Sequence, residues 1–177
     1  MQVTGISAGL LLLLSHLVAI IQPDAIRRAA VAFPRSRVAG TLLIGIAAVW
    51  SFLLVSQIDL GEFSPLRNIM LVGIVAGSVL AWLFMEEFLA VRALGMILLL
   101  AAEPLLESAY LRTEPDRILL TVLGVAWAIA GLFLVGMPYL LRDAVGWVTA
   151  CPLRWKLASL GGLLYGIALT AVAALRW

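Results

Sequence analysis

Apolar residues run in six long blocks along the chain, roughly residues 3–22, 38–56, 69–85, 89–108, 118–137 and 157–175, separated by short polar stretches that carry proline. A block of about 20 apolar residues, coiled at about 1.5 Å per residue, matches the roughly 30 Å hydrocarbon core of a bilayer. The pattern predicts an all-α integral membrane protein of six transmembrane helices in one domain, residues 1–177. It groups as a first hairpin (1–56), a central hairpin (57–116) and a last hairpin (117–177). Five blocks are clear. The fourth carries Arg92 near its start and Glu103 and Pro104 inside it, so a short re-entrant segment is the alternative to a full span.

Composition agrees with lipid as the solvent. The chain is 64% hydrophobic and 12% charged, against roughly 45–50% apolar and about 25% charged in soluble domains. So few charges cannot cover the surface that a soluble domain of this size leaves in water. The formal charge of +2 does not mark a nucleic-acid binder, because the basic residues sit between the apolar blocks, where they act as topology signals. With six spans, one side holds eight of them, Arg27, Arg28, Arg35, Arg37, Arg92, Arg142, Arg154 and Lys156, and the other holds four, Arg67, Arg112, Arg117 and Arg176. Were the fourth block not to span, the balance would become five against seven. Six spans with both termini on the periplasmic side of a bacterial inner membrane fit the positive-inside rule better. The first block has neither a basic leader nor a small-residue cleavage site and reads as a helix that stays.

The first and last hairpins share a plan. In each, a proline (Pro23, Pro138) ends a span, an amphipathic stretch follows, and a second proline (Pro34, Pro152) with clustered basic residues opens the next span. Ile26, Ala30 and Phe33 in one stretch, and Leu140, Ala144 and Trp147 in the other, fall at helical spacing, with Arg27, Arg28, Arg142 and Asp143 set toward the opposite face. Two short interfacial helices on the cytoplasmic side are expected, along with a parallel internal repeat. Gly5 and Gly9, Gly73 and Gly77, and Gly162 and Gly166 each form a G-x-x-x-G pair, which lets helix backbones approach closely.

Few residues offer chemistry. Counted from Arg92, Glu103 falls roughly 16 Å into the core, where a charge is costly, so it should face the bundle, be protonated or find a partner. Such a carboxylate beside Pro104 suits an ion-coupled site. The plainer alternative sets Glu103 and Glu107 at the outer interface beside Arg112. His16, the lone histidine, could ligate a haem iron or a chlorophyll magnesium, or relay protons; the plainer alternative is a packed residue bonded to a carbonyl or to Ser15. No cofactor is predicted beyond that option, and no metal site.

Glu86, Glu87 and Arg92 form a charged cluster at the cytoplasmic turn, either solvated or, if the helix runs on through LFMEEFLAVR, a partner-binding edge. Trp147, Trp155 and Trp177 read as interface anchors. Cys151 is the lone cysteine, which excludes an internal disulfide. No phosphate loop, nucleophile elbow or H-E-x-x-H pattern is present, so no catalytic residue is assigned and an enzyme is not expected. Three functions remain open: an accessory subunit of a larger membrane complex that packs on partner helices and lipid or pigment, an ion-coupled transporter or channel centred on Glu103, and a cofactor binder using His16.

Overall fold

The computed structural model describes residues 1–85, 87–110 and 112–177, so Glu86 lies outside the described residues. Among those residues the chain is helical without strands, and six helices are long and apolar enough to cross a membrane. These are α1 (Gln2–Ile21), α3 (Arg37–Gln57), α4 (Arg67–Phe84, continuous with a 3₁₀ turn at Gly61–Leu66, so that the apolar span is Gly61–Phe84), α5 (Leu89–Ala109), α6 (Arg117–Gly136) and α8 (Pro152–Leu175). Two short helices join them at one end, α2 (Pro23–Ala32) and α7 (Tyr139–Thr149).

Prolines and caps set these boundaries. Pro23 and Pro152 each occupy the first turn of their helix, where the missing N–H costs nothing and the fixed φ already suits the helix. For that reason α8 begins at Pro152, ahead of the apolar block. Ser36 caps α3 by accepting from the Ala39 N–H at 3.2 Å.

The interrupted fourth block is the centre of the molecule. α5 runs unbroken for 21 residues, long and apolar enough to cross a membrane, and it packs on α6, α3 and the 3₁₀ turn Phe33–Arg35. Pro104 removes only the bond its N–H would have made to the Leu100 carbonyl, while its backbone angle remains helical. Small residues let the neighbours close in. A Cβ added at Gly95 would stand 2.9 Å from the Gly131 carbonyl oxygen, and one at Gly131 would stand 2.8 Å from the Gly95 carbonyl oxygen. At Gly40 of α3 an added Cβ would meet the Ala90 nitrogen at 3.0 Å.

The second close pair is α1 with α8, antiparallel, with Gly5 under Trp177, Gly9 against Thr170 and Gly166 against the Leu13 backbone. Both close pairs, α5–α6 and α1–α8, therefore join different hairpins of the sequence. A two-fold repeat would match α1 on α8 with α6 on α3; among the described residues α6 and α3 share no extensive contact, so the two units share a plan along the chain without a symmetric packing. Tyr165 ties the layers by donating its hydroxyl to the Leu119 carbonyl at 2.6 Å, above a core of Ala8, Leu105, Leu120 and Leu169.

α4 stands at the edge. It has no buried residue and packs extensively only on α3, through a stripe of Leu71, Ile74, Ser78 and Ala81 at helical spacing.

Candidate functional site

Every residue of α5 is buried or half-buried except Glu103 and Glu107, which are exposed. One turn apart, they share a face. The contacts of Leu99 with Gly131 and of Leu106 with Gly124 put Glu103 level with the middle of α6, while it lies about 9 Å from the end of its own helix by rise per residue. Glu103 therefore does not face the bundle interior, and neither carboxylate has a hydrogen bond or ion pair among the described residues. The expectation of an inward or paired Glu103 is corrected. Leu105, Ala102 and Ala109 take the inward positions instead, because apolar side chains fill the glycine-lined contacts with α6.

His16 is half-buried, and its Nδ1–H donates to the Leu12 carbonyl one turn back at 2.8 Å. That assignment follows from the partner, since a carbonyl only accepts. Ser15 Oγ lies 3.2 Å from the same nitrogen. Nε2 points at Gly162 of α8, where an added Cβ would overlap the ring. The imidazole is thus a packing element between α1 and α8, with its second nitrogen against a backbone.

The basic end carries the most organised polar structure. α2 and α7 touch there, bringing Arg27, Arg28, Arg142, Arg154 and Lys156 to the same end. Pro23 cannot donate to the Ala19 carbonyl one turn earlier, and the indole N–H of Trp155 takes that place at 3.1 Å. Trp155 is accordingly buried, 9% exposed, and is not the interface anchor expected of it; Trp147 is exposed and Trp177 half-buried. Arg27 sits over the Trp155 ring, 5.3 Å from its centroid. It shares the protein-facing side of α2 with Pro23, Ile26 and Ala30, which corrects its expected outward position, whereas Arg28 is exposed as expected.

In α7 the stripe of Leu140, Ala144 and Trp147 faces outward, and Leu141, Val145 and Val148 face the protein. Arg142 is exposed and pairs with Asp143 at 2.8 Å. Arg154 covers the Trp147 ring at 4.4 Å and donates to the Trp147 carbonyl.

At the α4–α5 turn the helix does not run on: α4 ends at Phe84 and Phe88 turns the chain with φ 60°. The first turn of α5 is buried by Leu89, Ala90 and Val91, so Arg92 is half-buried and forms no free edge. Glu87 is exposed and lines, with Arg35, Phe88 and Arg142, a hollow of about 350 Å³. The glycine pairs diverge. Gly162 and Gly166 lie in the α1–α8 contact, while nothing approaches within 4 Å of a Cβ built at Gly73 or Gly77.

Two elements escaped sequence reading although their signals were present. Pro23 four residues after Ala19 marks an orphaned carbonyl, and Gly124 and Gly131, seven apart, mark one face of α6. Among the described residues no group of three or more His, Cys, Asp or Glu is placed to hold a metal ion. No protein-family model, curated protein or solved structure matches the chain.

Proposed function

We propose that the protein is a small accessory, structural subunit of a larger complex in a bacterial-type inner membrane, with both termini on the outer side. The observation that carries this reading is α4. An apolar helix with no buried residue, docked on one neighbour and offering an open Gly73–Gly77 face, supports lateral packing against a partner helix, because small-residue faces permit the close approach on which association in lipid depends. Glu103 and Glu107 add to it. An exposed carboxylate at Glu103, on the most buried of the six long helices and level with the middle of α6, costs about 2.5–3.5 kcal/mol in bare hydrocarbon near a helix centre, which a polar partner surface removes.

The rival reading as an ion-coupled transporter needs Glu103 to line a passage between helices, and its outward position supports that only across subunits. A cofactor at His16 gains nothing from a ring whose second nitrogen meets Gly162.

The test is photo-crosslinking in native membranes. A benzophenone side chain at Gly77 should capture a different polypeptide at a discrete mass, and the same group at Leu164, exposed on α8, should not. Capture at neither position, or only of a second copy of the chain, would overturn the reading.

A further inference from the structure

A cleft of about 320 Å³ opens where the α1–α2 elbow meets the start of α8. Ala19, Ile20 and Leu160 give it an apolar wall, and Arg27 and Lys156 flank it without any carboxylate among its lining residues. Neither cation forms an ion pair among the described residues. Ser159 also lines it. At 4% exposure Ser159 is the one buried polar or charged residue among the described residues, and the Nε of Arg27, in the same lining, is buried without a hydrogen-bond partner there. A buried donor left unpaired costs stability, so an acceptor belonging to something else is expected beside it. Arg27 is preset by its stacking on Trp155, which lowers the ordering cost of a bound anion.

The wall is apolar, the flanks are doubly cationic, and the site lies at the end of the molecule where eight of the twelve basic residues gather. We propose that this cleft binds one anionic phospholipid, with the phosphate between Arg27 and Lys156, a phosphate or ester oxygen accepting from Ser159, and the upper part of one acyl chain along Ala19, Ile20 and Leu160. The volume is too small for a whole diacyl lipid, whose remaining chain lies along the outer surface. This inference rests on the membrane reading above and adds the class of lipid and its place.

The full-length protein in neutral detergent is titrated with dioleoyl phosphatidylglycerol, dioleoyl phosphatidylcholine or inorganic phosphate, and bound ligand is counted by native mass spectrometry. Phosphatidylglycerol should bind roughly tenfold more tightly than phosphatidylcholine, in line with the attraction of cationic side chains for anionic lipid. Lys156→Gln, at an exposed position, should remove most of that preference, and Ser159→Ala should weaken both lipids. Arg28→Gln removes the same charge outside the cleft and should change neither. Equal binding of the two lipids, or an equal loss from Arg28→Gln, would overturn the site. Displacement of phosphatidylglycerol by an equal concentration of inorganic phosphate would assign the pair to a free anion instead. A chain that never partitions into membranes fails the membrane reading itself, whereas equal lipid binding in a chain that does partition removes this site alone.

Discussion

The imidazole of His16 on α1 lies directly on Gly162 of α8, and a methyl group at that glycine would overlap the ring. The histidine is pinned from behind by its bond to the Leu12 carbonyl, so it cannot swing aside without losing that bond. Gly162→Ala should therefore destabilise the fold by about 1–3 kcal/mol, the usual cost of overpacking. His16→Ala vacates the space, and in that background Gly162→Ala should cost far less. A double-mutant cycle in denaturant unfolding measures this coupling; additive losses would mean that the ring is not held there.

Trp155 and Pro23 are linked through one carbonyl. Trp155→Phe leaves the Ala19 carbonyl, orphaned by Pro23, without its donor and should cost about 1–3 kcal/mol, the penalty for an unmet buried polar group. Pro23→Ala restores a backbone donor to the same oxygen. Thermal unfolding of the four variants should show Trp155→Phe to be markedly milder beside Pro23→Ala.

Cys151 titrates below the ordinary thiol range, because the backbone N–H groups of Arg154 and then Leu153 at the start of α8 favour its thiolate, with smaller help from the charges of Arg154 and Arg27. The folded pKa is thus lower than the unfolded one. The linked stability is fully present above the unfolded value and fades as pH falls through the folded one. Alkylation by iodoacetamide should reach half its maximal rate at a lower pH in the folded protein than in urea. Arg154→Gln should move that midpoint only slightly, since the backbone groups lead.

Topology follows from the eight against four division of basic residues. Cysteines introduced at Gln2 and Glu114 in a Cys151→Ser background should react with an impermeant maleimide added to intact cells, and one at Ser36 should be protected. Labelling of Ser36 together with Glu114 would break the six-span arrangement.

The apolar blocks made the helices legible, because period and length alone decide whether a segment can cross lipid, and the prolines fixed their ends. Partner choice was not legible in the same way. Nothing along α1 states that its neighbour is α8 rather than α3; that follows from Gly9 and Gly166 meeting at matching depth, which is a property of two distant segments together. Which of its two expected placements Glu103 takes is not legible for a related reason. Depth can be counted along a helix, but the direction a side chain faces depends on where the neighbours stand, and α6 takes the side of Leu105 and Gly95. Arg27 was set outward because it is charged, whereas the Trp155 ring makes an inward berth for a cation that sequence spacing does not announce.

Purification from native membranes in mild detergent tests α4 as a docking face most directly. The wild-type chain should emerge with a different membrane subunit in stoichiometric amount. Glu103→Gln, which keeps size and hydrogen bonding, should retain that partner. Gly73→Leu with Gly77→Leu, on a face nothing else touches, should release it while leaving the chain's own unfolding midpoint unchanged. A wild-type chain recovered alone, as a monomer or homo-oligomer, or a partner retained by the double glycine variant, would contradict the account.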